Sequence, residues 1–173
     1  VKSFIQSNAL FLCGLAVAIT NCFPYINLMK NIILCADDYG QNPAISQAII
    51  ALAENNRLTA TSCMVNSDYW QLHAKWLAPV KSKLDIGLHL NFSEGKPLSQ
   101  DYLNCYGEKF FSLGKLLLRA SLGKLNPEVI KSEMHAQIDR FIEGAGGLPD
   151  FVDGHQHVHQ FPLIRDVFFE VYE

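Results

Sequence analysis

Several things are scarce in this 173-residue chain, and each scarcity removes a class of function. Charge is low, with Asp, Glu, Lys and Arg making up 18% of residues and a formal net charge of −3. No Lys/Arg cluster stands out, so the electrostatic footprint of a nucleic-acid binder is missing. Cysteine is sparse and odd in number: Cys13, Cys22, Cys35, Cys63 and Cys105. No pair has C-x-x-C spacing, which argues against a disulfide framework and for buried free thiols in a reducing compartment. Long apolar runs are also lacking. The longest, Ala9 to Ile19, is too short to span a bilayer comfortably. There is no internal repeat and no low-complexity stretch. What is abundant is apolar residue content, at 49%. A chain of this size and composition is expected to fold as one globular domain with a real core.

The first 28 residues differ from the rest. Only Lys2 precedes the apolar run, and no clear A-x-A cleavage site follows, so the signal-peptide pattern is incomplete. Met29-Lys30 stands directly before a strand-like run. The segment therefore reads first as a translated stretch upstream of Met29, with a signal or membrane-anchoring segment as the alternative. The expected location is cytoplasmic, and no stable membrane span is expected.

From Asn31 onward, strands and helices alternate. Asn31 to Ala36 is a continuous apolar run suited to a strand buried on both faces, and Asp37-Asp38-Tyr39-Gly40 breaks it. Asn42-Pro43 is a cap-plus-proline helix start, with helical spacing continuing to about Arg57. Thr59 to Val65 predicts a second strand and Tyr69 to Val80 a helix. Leu84 to Phe92 predicts a third strand, Ser93 to Gly107 a loop, and Phe110 to Leu122 a helix. Asn126-Pro127 opens an amphipathic helix that stops at the glycines from Gly144 to Gly147. Phe151 to His159 predicts a fourth strand and its exit, and Pro162 opens a last helix. The order predicts an α/β fold of βα units around a parallel sheet or barrel.

Residues with metal-ligand character gather at the ends of three of these strands: Asp37 and Asp38, then His89, then Asp153, His155, His157 and His159. Parallel βα folds place their sites at the C-terminal ends of strands, where the following loops converge. Period-two spacing would put Asp153 and the three histidines on one face. One Asp and two His leave open positions for water and substrate. A bound cation with a carboxylate nearby suits hydrolysis of an amide or ester. Two adjacent aspartates can share one site only where the backbone turns, which Gly40 makes feasible.

The strings A-D-D-Y-G, T-A-T-S-C-M-V-N, I-G-L-H-L-N-F-S-E-G-K-P-L and F-V-D-G-H-Q-H-V-H-Q-F-P occur in that order. Together they resemble the YdjC-like carbohydrate deacetylase family, which includes chito-oligosaccharide deacetylases and hopanoid-associated members. The resemblance covers about Met29 to Glu173, an expected N-terminal part of such a domain. It implies a (β/α) barrel and removal of N-acetyl groups from a small carbohydrate. It also implies a divalent metal, Mg²⁺, held by Asp38, His89 and His155. Asp37 matches the general base and Asn66 a position facing the substrate. Ligand chemistry by itself favours Zn²⁺ for two imidazoles and a carboxylate. Family members continue further, so an incomplete barrel is expected, with the group that protonates the leaving amine outside this stretch. A homo-oligomer is compatible with the sequence. The rival readings are a metal phosphoesterase and a non-catalytic metal- or sugar-binding remnant.

Overall fold

The computed structural model describes residues 32–172. The N-terminal extension, with Cys13 and Cys22, lies outside the described residues. Four parallel strands form one sheet in the order β1-β2-β3-β4: β1 Cys35–Tyr39, β2 Ala60–Cys63, β3 Asp85–Leu90 and β4 Val152–Gly154. Each strand pairs with the next in sequence after a helical crossover. This is the α/β, barrel-like arrangement that the alternating pattern predicts.

Two helix starts follow from local chemistry. In α1, Pro43–Glu54, the Asn42 side chain accepts the Ile45 N–H at 3.0 Å and Pro43 sits in the first turn. In the long helix Pro127–Ala145, Asn126 does the same for Glu128 N at 3.0 Å. Gly146 then ends that helix in the left-handed region, at φ 73°.

Other boundaries depart from the expected ones. The first strand does not stop at the aspartate pair but runs through it to Tyr39, while Ile32, Ile33 and Leu34 lie ahead of it, exposed. Among the described residues β1 pairs with β2 alone, so it is an edge strand, and its apolar approach is not covered by packing. The expected helix from Tyr69 splits into α2, Trp70–His73, and a 3₁₀ turn, Ala74–Leu77, before Pro79 disfavours continuation. The expected loop after β3 contains a helix, α3 Gln100–Tyr106, capped by the Ser99 hydroxyl on Tyr102 N. α4 is Leu113–Ser121, and the long helix is α5. The last helix, α6 Ile164–Tyr172, starts after Leu163 rather than at Pro162, because Leu163 adopts φ 67°.

The core has two apolar clusters, with Val152 packed against both. One centres on Trp70, which stacks on Phe141 at 5.8 Å and donates its indole N–H to Arg140 O at 2.9 Å. The other gathers Leu90, Phe92, Tyr102, Leu116 and Ile130. Among the described cysteines, all free, Cys63 is buried and Cys35 half-buried, but Cys105 is exposed on α3, contrary to the expectation of buried thiols. Among the described residues, no helix is long and apolar enough to cross a membrane.

A buried polar bracket on α5 fastens the loop after β3. Glu133 accepts Leu98 N at 3.0 Å and Ser99 N at 2.7 Å, and Gln137 donates to Glu133 at 2.9 Å. Gln137 also bonds both Asn91 N and Asn91 O. Burial pushes the Glu133 carboxyl above its usual range, against the lowering effect of these donors. Glu133→Ala strands two inward-facing N–H groups. It is expected to cost about 2–4 kcal/mol, read as a lower urea midpoint, with Glu133→Gln milder. An unchanged midpoint in Glu133→Ala would show that the bracket carries no stability.

Candidate metal centre

Three strand ends bring Asp38, His89 and His155 together, with one potential ligand atom from each lying within 4.8 Å of the others. Asp38 Oδ1 is the pivot. It stands 2.9 Å from His155 Nδ1 and 3.4 Å from His89 Nε2. The two imidazoles meet edge-on at 5.3 Å between centroids.

The aspartate pair reaches this position through a bulge. Between Ala36 and Tyr39 the register with β2 shifts, so three steps of β1 oppose two of β2, from Thr61 to Cys63. Asp38 itself takes φ 65°, a left-handed conformation that costs a non-glycine residue about 1–3 kcal/mol and persists only where its surroundings impose it. The backbone therefore turns at Asp38, not only at Gly40 as the sequence indicates. Gly40 is needed as well, with φ 92° and space for a Cβ only 2.9 Å from Met64 O. Its N–H is held by Ser46 Oγ at 3.0 Å, and Ser46 is held in turn by the buried His73 at 2.9 Å.

Asp37 faces a neighbouring group. Its Oδ1 accepts from Ser62 Oγ at 3.3 Å, and ligand atoms of Cys35, Asp37 and Asp153 lie within 4.8 Å of one another. This group adjoins the Nδ1 edge of His89 through Asp153, and through Ser62, which Asp37 holds. Ser62 Oγ is 3.1 Å and Asp153 Oδ1 2.7 Å from that nitrogen. Asp153 thus grips one ring nitrogen of His89 and leaves the other facing Asp38. The period-two spacing places Asp153 near the site but does not show this role.

The expected single face of histidines does not form. β4 ends at Gly154, and His155–Gln160 is a 3₁₀ segment interrupted by left-handed Gln156 and His157, at φ 51° and 58°. His155 is buried in the site, His157 is exposed, and His159 turns toward Phe168. The alternation needs extended dihedrals, and the chain abandons them after one residue.

Asn66 spends its amide on the loop after β3. It donates to Glu94 O at 3.0 Å and Lys96 O at 3.2 Å and accepts from Asn91 Nδ2 at 3.0 Å. Glu94, which sequence reasoning does not single out, lies at the rim. Its carboxylate is 3.1 Å from Gln156 Nε2 and 3.4 Å from His155 Nε2. The available signal is an acidic residue four positions after Leu90, the last residue of β3.

The carboxylates and imidazoles shift one another strongly. Hydrogen bonds from His155 and then His89 hold the Asp38 carboxyl well below the usual range. Burial alone would push the His89 imidazole down, but Asp153 and Asp38 outweigh it and hold it up at about 9. The same contest, won by Asp38, raises His155. Burial first, then the charges of Asp37 and Asp153, push the Cys35 thiol up to about 12. The residues fit a divalent ion. The donor set is one carboxylate and two imidazoles, with one potential ligand atom of each close to the others. Among the described residues, no Lys or Arg side chain bonds any of these groups.

Comparison with known proteins gives a consistent picture. The family described as YdjC-like protein matches residues 31–173. A carbohydrate deacetylase of Danio rerio is 35% identical over 149 residues, covering 81% of this chain and 45% of the relative. A chitooligosaccharide deacetylase of Serratia marcescens is 36% identical over 138 residues, covering 78% of this chain and 53% of the relative. The chain therefore spans about half the length of the curated relatives it matches. A crystal structure from Enterococcus faecalis, provisionally described as a cellobiose-phosphate cleavage protein, superposes with a TM-score of 0.66 at 27% identity. That match covers 80% of this chain and 54% of the other.

Proposed function

This chain belongs to the YdjC-like protein family, and on that premise we propose that it is a hydrolase removing N-acetyl groups from amino sugars or chito-oligosaccharides, with a divalent cation held by Asp38, His89 and His155. The observation that carries the reading is the convergence of those three side chains from three strand ends. The deacetylase names of relatives at 35% and 36% identity support the substrate class.

A cation bound there supplies Lewis acidity, polarising the acetyl carbonyl and acidifying water. The chain's own groups do the rest. Asp37 is exposed and adjacent in sequence to Asp38, and its Oδ1 takes the Ser62 hydroxyl. It accepts the proton of the water that attacks the acetyl carbon. The C–N bond then breaks as the leaving nitrogen takes up a proton, which the one held by Asp37 balances, giving acetate and the free amine. Asp153 orients His89 through Nδ1. Asn66 acts on the substrate through the loop it fastens, by holding the Glu94 and Lys96 carbonyls. Family resemblance favours Mg²⁺, and the imidazole-rich donor set favours Zn²⁺.

Four carboxylates, those of Asp37, Asp38, Asp153 and Glu94, crowd the site, and among the described residues no Lys or Arg side chain bonds them to help receive a phosphate. The discriminating assay incubates the protein with N-acetylated chito-oligosaccharides or sugar phosphates in Mg²⁺ or Zn²⁺. Acetate release is expected. Phosphate release without acetate would replace the reading with a phosphoesterase, and sugar binding without either product would favour a binding remnant.

A further inference from the structure

Both imidazoles of the candidate cation site are approached by carboxylates at both ring nitrogens. His89 has Asp38 Oδ1 at 3.4 Å from Nε2 and Asp153 Oδ1 at 2.7 Å from Nδ1. His155 has Asp38 Oδ1 at 2.9 Å from Nδ1 and Glu94 Oε1 at 3.4 Å from Nε2. A carboxylate on the outer nitrogen of a ligating histidine fixes which nitrogen carries the proton and which way the ring faces. Asp153 fills that place for His89.

We infer that Glu94 is the positioning carboxylate of His155, holding the proton on Nε2 so that Nδ1 faces the cation. The inference rests on the reading of Asp38, His89 and His155 as cation ligands.

Glu94 is built for such a task. Its N–H bonds Asn91 Oδ1 at 3.1 Å, and its carbonyl accepts from Asn91 Nδ2 at 2.7 Å and Asn66 Nδ2 at 3.0 Å. An exposed glutamate with no partner to meet has no need of a backbone pinned three times. Its carboxylate then crosses to two other loops. Oε2 lies 3.5 Å from Gln41 Nε2 after β1, and Oε1 lies 3.1 Å from Gln156 Nε2 after β4. Gln156 holds a left-handed backbone, φ 51°, beside His155. The His155 Nε2 atom is buried and lacks a hydrogen-bond partner, and Glu94 Oε1 is the carboxylate oxygen beside it. Glu94 thus stands where the outer carboxylate of the second histidine belongs.

The test is Zn²⁺ and Mg²⁺ calorimetry on the full chain, its Glu94→Ala and Glu94→Gln variants, and Asp38→Ala. Long-range ¹⁵N–¹H spectra of the Zn²⁺-loaded proteins report the His155 tautomer. Because Glu94 is exposed, its truncation opens no core cavity. Glu94→Ala is expected to weaken Zn²⁺ binding about 10–100-fold and to lose the single Nε2–H tautomer. Glu94→Gln keeps an acceptor oxygen and is expected to retain the tautomer and most of the affinity. Wild-type Zn²⁺ affinity and an unchanged tautomer in Glu94→Ala would overturn the inference, even if sugar binding weakened. Wild-type affinity in Asp38→Ala would instead sink the cation reading itself. Loss in Asp38→Ala with none in Glu94→Ala would sink only the role of Glu94.

Discussion

Replacing Asp38 is expected to abolish cation binding: calorimetry with Zn²⁺ or Mg²⁺ should show a loss of at least about 100-fold, the upper end of what outer-shell changes alone produce. Among the described residues, Asp38 is the carboxylate that both histidines share, at 2.9 Å and 3.4 Å. Without it, the two imidazoles face each other with no carboxylate oxygen between them and the pocket loses its shared negative charge. The lost charge and the missing oxygen ligand act in the same direction. The substitution should be made as Asp38→Asn as well as Asp38→Ala. Asp38 occupies a left-handed backbone, φ 65°, which Asn tolerates and Ala does not. Asp38→Asn therefore isolates the loss of charge from relaxation of the bulge. His155→Ala should match it, because that ring contributes the third donor. Wild-type affinity in Asp38→Asn would remove the metal centre from the account of this protein.

The second large effect separates binding from turnover. Asp37→Asn should leave cation affinity within a few-fold of wild type and lower acetate release about 10²–10⁴-fold, the range for losing a general base. The separation is structural. Asp37 bonds Ser62 and belongs to the group around the Nδ1 edge of His89, whereas Asp38 sits at the Nε2 edge. Asn keeps the shape and the Ser62 contact but cannot take a proton. Acetate release at the wild-type rate in Asp37→Asn would show that another group is the base. Parallel loss of cation binding would show instead that Asp37 helps hold the ion.

Local sequence accounts for much of the frame. The two Asn-Pro caps, the Gly146 stop and the alternation of strand-like and helical segments are read from single residues and short spacings, and the structure forms them. The short helix α3 escapes that reading. Its ordering depends on Glu133, distant in sequence, which holds Leu98 N and Ser99 N, as well as on the local Ser99 cap. The missed rim residue Glu94 escapes for a related reason. Its meaning comes from Gln41, His155 and Gln156, which reach it from other loops.

The sequence by itself determined that Asp38, His89 and His155 would share one rim. Parallel βα units carry every strand in the same direction, so residues at strand ends converge whatever the details of the path. Only the tertiary structure decided how they face one another. The bulge that turns Asp38 toward the histidines while Asp37 faces Ser62 is a break in pairing with β2. The left-handed turn at Gln156 and His157, which keeps His155 in the site and sends His157 to solvent, breaks an alternation that sequence spacing assumes. Periodicity describes regular backbone, and this site is made where the backbone stops being regular, held there by contacts between distant parts of the chain.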